Sequence, residues 1–369
     1  MIILLVTGLN DNLSFLFRVE TLLSPVILLI AMFIVLNTQI AGQKIKWNNY
    51  SLAFIYVFTI YLFWAAFGSV TGNEADNLFW GFRYYLPSLL IYISGLAGFY
   101  LITQRSGLES SMILLRVVFQ LNAYAIILGF FVELDFLSSE AGRFSGINLN
   151  ANQAGYLAVI ALILELYWYL LKSCKISLIY ATIISFAIFL TISKTAYLMT
   201  LIVVSYFLYA LTTARGSRIK DVIQSVMMLL IAIGILVVVL GQNLIQLVSS
   251  QEERLLEFSS FLSGEINEET TTNRSYLATY AFNKILDAPI FGHGFRSFSL
   301  MDINKGVHNQ LLLLWGEGGL LSLFAYLWLM GFFFWNAKKL HQCQKFLVRT
   351  LVIVIAMYSL TNNNMYANK

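Results

Sequence analysis

Charge is what this sequence most lacks. Only 11% of its 369 residues are charged, while 59% are hydrophobic. A soluble domain of that length needs a polar surface that this composition does not supply. Proline is nearly missing too, with three in the whole chain, which suits long unbroken helices. The two cysteines, Cys174 and Cys343, stand far apart and indicate neither a disulfide framework nor a thiolate metal site. The three histidines, His293, His308 and His341, have no carboxylate at ligand spacing, so no metal and no other cofactor is expected. No Walker loop, dinucleotide fingerprint or Gly-x-Ser-x-Gly elbow occurs, which leaves ATP-driven chemistry unsupported. No basic stretch leads into a small-residue cleavage site at the N-terminus, so no removable signal peptide is expected.

What is present is a series of apolar runs, with a mean hydropathy of +0.76. A run of 18 or more apolar residues crosses a hydrocarbon core ~30 Å thick. The alternating segments of ~10 residues that mark a transmembrane barrel are not visible. The expected fold class is therefore all-α, a polytopic transmembrane helical bundle. Candidate spans are 2–20, 24–41, 50–70, 79–102, 110–133, 151–171, 176–192, 195–211, 222–241, 307–335 and 346–363.

The basic residues orient these spans. Lys44 and Lys46, then Arg105, then Lys172 and Lys175, then Arg215, Arg218 and Lys220, then Lys338, Lys339 and Lys345 fall in alternate connections. The positive-inside rule puts those connections in the cytoplasm. The opposite side receives 71–78, 134–150, the turn near Ser193, and 242–306. The chain then divides into N-terminal transmembrane helices (1–241), one large outer loop (242–306) and C-terminal transmembrane helices (307–369). Within the loop, Tyr276, Leu277, Tyr280, Ile285 and Leu286 carry the spacing of a short amphipathic helix from Ser275 to Leu286. A connection this long is uncommon unless it is functional.

Cations on the outer side run against the positive-inside bias and need a reason. Arg83, Arg143, Lys194, Arg274 and Arg296 all come to that side. One such cation alone reads equally well as a side chain snorkelling to headgroups. Five of them suit a phosphate or pyrophosphate, whose charge they neutralise and to which they donate several hydrogen bonds. His308 opens the sequence His-Asn-Gln-Leu-Leu-Leu-Leu-Trp-Gly-Glu-Gly-Gly at the outer mouth of a long helix. The positive end of the helix dipole keeps such a ring neutral, as a general base requires, although a lone histidine is more often structural. Glu317, deep in the same span, is expected to be functional or paired. Gly316, Gly318 and Gly319 around it permit close helix packing or a local break.

Four places then resemble the O-antigen ligase and O-antigen polymerase superfamily. Arg143-Phe-Ser-Gly146 with Asn148, Asn150 and Asn152 is similar to that family's first periplasmic Arg-Gly-Asn element. Ser193-Lys194-Thr195 is similar to its Ser-Arg turn, with lysine for arginine. Asn273-Arg274 through Asp287-Ala-Pro-Ile-Phe-Gly-His-Gly294 resembles its Arg…Asp-x-Pro-x-Phe-Gly-x-Gly element. His308-Asn309 through Glu317-x-Gly319 resembles its His-Asn…Glu-x-Gly motif, with Ser322 where a glycine often ends it.

The resemblance implies a GT-C-like bundle of about 10–12 spans in the bacterial inner membrane, with its active site facing the periplasm. It implies a metal-independent glycosyltransferase whose donor and acceptor are undecaprenyl-pyrophosphate-linked oligosaccharides. His308 would deprotonate the acceptor hydroxyl. Arg274 and Arg143, with Lys194, Arg83 and Arg296, would bind the pyrophosphate; Asn309, Glu317 and Asn152 would support the site. Membrane lipids and a chain-length regulator protein are the other partners it implies, and no nucleic acid. The expected activity is polymerisation of surface polysaccharide, the alternative being ligation to lipid A-core. A lipid-linked oligosaccharide flippase is the rival of another class, and would place charge through the midplane with broken helices in both halves.

Overall fold

The computed structural model describes residues 49–71, 103, 107–132, 144–146, 148, 150–215, 268–295, 297–298 and 309–361. Every regular element among them is helical. In chain order these are α1 (Asn49–Thr71), α2 (Gly107–Phe131), α3 (Ala151–Lys172), α4 (Ile176–Leu190), α5 (Lys194–Arg215), α6 (Glu268–Asp287), α7 (Gln310–Asn336) and α8 (Gln342–Thr361). A 3-10 turn, Ala337–Lys339, joins the last two. Helices α2, α3, α5, α7 and α8 are long and apolar enough to cross a membrane, and α1 and α4 contain shorter apolar stretches. The chain is a polytopic helical membrane protein. The expected spans 2–20, 24–41, 79–102 and 222–241 lie outside the described residues.

Helix α3 is apolar on all sides, and that is why it can occupy the centre. Its residues from Ala161 through Leu170 are buried without interruption among α2, α4, α5 and α8. Small side chains bring the helices close. A Cβ on Gly155 would stand 2.9 Å from the Ala196 Cβ on α5, so glycine is required there. Away from this core, Phe63, Leu201 and Trp335 are largely exposed, as suits side chains that meet lipid rather than water.

A second layer pairs α1 with α7, and α8 ties it to the first. Adjacent residues of α8 do this in opposite directions. The Tyr358 ring stacks on Tyr156 of α3 with centroids 4.1 Å apart, and the Ser359 hydroxyl shares a 2.6 Å hydrogen bond with the Tyr326 hydroxyl of α7.

One buried charge pair joins α2 to α3. Arg116 of α2 donates from Nε and Nη2 to the two oxygens of Glu165 on α3, at 2.9 and 2.6 Å. Gln120 adds a 2.6 Å bond to the same carboxylate, and the guanidinium lies 4.5 Å from the Trp168 ring centroid. A bidentate pair with both ions further satisfied is the arrangement in which burying charge is tolerated.

Candidate active site

The site is built around a break in α7. Gly319 has φ 69° and ψ −175°, which stops the helical hydrogen-bond ladder for one turn. That frees the carbonyls of Gly316 and Glu317 and the amide of Leu320. In a membrane helix these groups must find protein partners, since hydrocarbon offers none. The loop after α6 supplies them. The His293 amide donates to Gly316 O at 2.7 Å, the Gly294 amide donates to Glu317 O at 3.0 Å, and the Leu320 amide donates to Pro289 O at 3.1 Å. Pro289 O also accepts from the Trp315 indole at 3.0 Å.

This docking explains the glycines of two separate sequence motifs together. A Cβ on Gly319 would fall 2.0 Å from Ile290 O, and one on Gly292 would fall 2.5 Å from both Glu317 O and the Gly319 amide. Gly319, Gly292 and Gly294 also have positive φ, where a side chain is strained. The loop reaches α1 as well. A Cβ on Gly68 would meet the Gly294 amide at 2.7 Å, the Ser69 hydroxyl accepts from the Phe295 amide at 2.9 Å, and the Phe291 ring stacks on Trp64 at 5.5 Å.

Helix α6 therefore lies against α7. Ala281, Ile285 and Phe298 pack with Tyr280, Leu312 and Trp315. Its C-terminal end leads into the loop that meets the break, and its N-terminal half extends away from that loop. Arg274 stands on that half, two turns before Ala281; its side chain is outside the described residues. The amphipathic helix expected at 275–286 is present and begins earlier, at Glu268.

At the start of α7, Asn309 is the N-cap, and its Oδ1 accepts from the amides of Leu311 and Leu312 at 2.9 and 3.2 Å. Asn309 thus begins the helix immediately after His308, which itself lies outside the described residues, as do Arg83, Arg143 and Arg296. Glu317 is fully buried and accepts a 2.5 Å hydrogen bond from the Tyr61 hydroxyl of α1.

His293 is tied down for structure. Its Nε2 lies 2.6 Å from Lys284 O at the end of α6, and its ring meets Phe298.

A second polar group forms where α3 and α5 begin. The Asn148 Nδ2 donates to Asn122 Oδ1 at 2.5 Å, fastening the loop after Arg143 to α2. Gly146, with φ 59°, lets that loop approach the Ile126 amide, which a Cβ would meet at 2.8 Å. Asn150 caps α3 by accepting from the Asn152 amide at 2.7 Å. Fastening and capping thus fall to Asn148 and Asn150, while Asn152 stands in the first turn. The Phe144 amide donates to Leu190 O at 3.3 Å, which brings the residue after Arg143 beside the turn carrying Ser193 and Lys194. Lys194 is exposed and is the first residue of α5. A cation there adds to the positive end of the helix dipole, a pairing that favours a nearby anion.

Sequence reasoning gave no role to Tyr61, Ser69, Gln310, Arg116 or Glu165. The last two carried a usable signal, since ionisable residues inside spans pair or function. Tyr61 and Ser69 carried none, because an isolated hydroxyl in an apolar run is ordinary.

Residues 178–327 match the family model described as O-antigen ligase. That segment of the chain is similar to an O-antigen ligase domain. This is consistent with the O-antigen ligase and polymerase superfamily, and it supports a glycosyltransferase-type enzyme acting on lipid-linked sugars. No curated protein and no solved structure matches the chain. The matched segment begins in α4 and ends in α7, so it includes Lys194, Arg274, Arg296, His308, Asn309 and Glu317. Arg83, Arg143 and Asn152 precede it.

Proposed function

We propose that this protein is an O-antigen polymerase. It transfers an undecaprenyl-pyrophosphate-linked glycan to a sugar hydroxyl of another lipid-linked repeat unit, at the periplasmic face of the bacterial inner membrane. The observation that carries this reading is the docking of the 288–295 loop onto the broken helix α7. It clamps α6, which bears Arg274, to the helix whose start follows His308.

In the proposed reaction His308 takes the proton of the acceptor hydroxyl. The hydroxyl oxygen bonds to the anomeric carbon of the donor, and the bond from that carbon to the pyrophosphate oxygen breaks. Undecaprenyl pyrophosphate leaves, with Arg274, Arg143, Lys194, Arg83 and Arg296 neutralising its charge. The donor is already activated, so the transfer needs no nucleotide. Residues 242–306 are the periplasmic segment in this scheme, and 1–241 and 307–369 form the membrane part.

The matched family's description favours a second reading, ligation of the glycan to lipid A-core. Purified protein supplied with lipid-linked repeats alone should lengthen them. Product only when lipid A-core is added would establish the ligase instead, and no product in either case would overturn both. Orientation has its own check. Cysteines at Ser263 and Asn304 should react with an impermeant thiol reagent from the periplasm, and one at Ser217 should not; labelling of Ser217 alone would reverse the topology.

A further inference from the structure

Gln310 is the first residue of α7, and its side chain is 0% exposed. Among the described residues, neither its Oε1 nor its Nε2 has a hydrogen-bond partner. Enclosing an amide without partners is unfavourable, so a residue serving only to pack would be better as Leu or Met. The oxygen and nitrogen of an amide are easily interchanged in assignment, but here both are unpartnered and the argument is unaffected.

Helical spacing sets Gln310 one turn above Leu314 and two turns above Glu317, on the face of α7 that packs against Tyr61 of α1. The amide group is thus held over an apolar floor at the mouth of the helix, two residues from His308. The three backbone amides that follow Gln310 are already taken and are not offered to a ligand. Leu311 and Leu312 donate to Asn309 Oδ1, and Leu313 donates to Asn309 O at 3.1 Å.

The chemistry of the ligand follows from the two orphaned atoms. A phosphate only accepts hydrogen bonds, so it would serve Nε2 and leave Oε1 bare. Adjacent sugar hydroxyls both donate and accept, and satisfy the whole amide. We infer that Gln310 is a saccharide-binding residue, which holds glycan hydroxyls beside His308 while the pyrophosphate is held elsewhere. This rests on the reading of the chain as a transferase of lipid-linked glycans.

The test compares two probes on purified protein: undecaprenyl pyrophosphate, and the same lipid carrying a repeat unit. The wild type should bind the glycan-bearing lipid more tightly than the bare one. Gln310→Leu should lose about tenfold of that sugar-dependent gain, as expected for two neutral hydrogen bonds, and should bind the bare lipid unchanged. Its thermal stability should stay level or rise. A Gln310→Leu protein that keeps the whole gain overturns the inference while leaving the transferase reading intact. If Gln310→Leu and Gln310→Met both fail to fold, the amide is a packing requirement and the inference falls. A wild type that makes no product and does not distinguish the two lipids overturns the transferase reading, and this inference with it.

Discussion

Glu165 and Glu317 are both carboxylates with no exposure to the surface, each held inside a helix of the same bundle. Their surroundings differ in kind. Glu165 lies in an unbroken helix, outside the matched domain, and meets a bidentate guanidinium and an amide. Glu317 lies inside that domain, accepts from a tyrosine hydroxyl, and sits two residues before the break at which a long-loop segment docks. The Arg116–Glu165 pair neutralises itself and asks nothing of a ligand. The region of Glu317 shows an irregular backbone tolerated within a span, made possible only by glycines and by a docked loop. A buried carboxylate alone is thus a poor marker of function; the backbone around it is a better one.

Unpairing Glu165 should have the largest effect on stability. Arg116→Leu leaves a buried carboxylate without its cation and should cost about 3–5 kcal/mol. The double variant Arg116→Met, Glu165→Leu should recover most of that stability and keep normal glycan transfer. Unfolding in detergent–denaturant mixtures measures the first, and a product assay the second. A double variant that is stable but inactive would give the pair a functional role beyond neutralising itself.

At the break, Gly319→Ala should cost about 2–5 kcal/mol, combining left-handed strain with overpacking against Ile290 O. Transfer should fail even where the protein still inserts. Gly107, with φ 80° and nothing within 4 Å of an added Cβ, is its control. Gly107→Ala should cost only about 1–2 kcal/mol, from strain alone, with activity unchanged. Similar losses in both would show that contact with the loop contributes nothing.

Tyr61→Phe removes the hydroxyl that Glu317 accepts from, and should cost about 1–3 kcal/mol in the same unfolding assay. Unchanged stability would mean that this hydrogen bond does not help to hold α1 against α7.

Much of the bundle was legible in the sequence, because a bilayer demands a minimum apolar length and charge cannot enter it cheaply. The run read as 151–171 is helix Ala151–Lys172, and the one read as 307–335 is helix Gln310–Asn336. The late start of the second reflects Asn309, whose cap begins the helix. The glycines around Glu317 suggested either close packing or a break, and both occur at once. The partner of the break was not legible. It is backbone hydrogen bonding between motifs well separated along the chain, and no side-chain pattern encodes that. The Arg116–Glu165 pair was hidden for a similar reason, since its members are 49 residues apart and each looks like an isolated charge in an apolar run.

In the proposed reaction His308, which precedes α7, is a general base acting on a lipid-linked glycan. Turnover of His308→Gln on purified lipid-linked repeats tests it most directly, with His293→Ala as the control for a histidine that serves packing. Removing a general base typically costs ~10²–10⁴-fold in rate. A loss of that size is expected for His308→Gln with binding of the lipid-linked donor retained, and near-normal transfer by His293→Ala once folded. Glycan made by His308→Gln at close to the wild-type rate would contradict it.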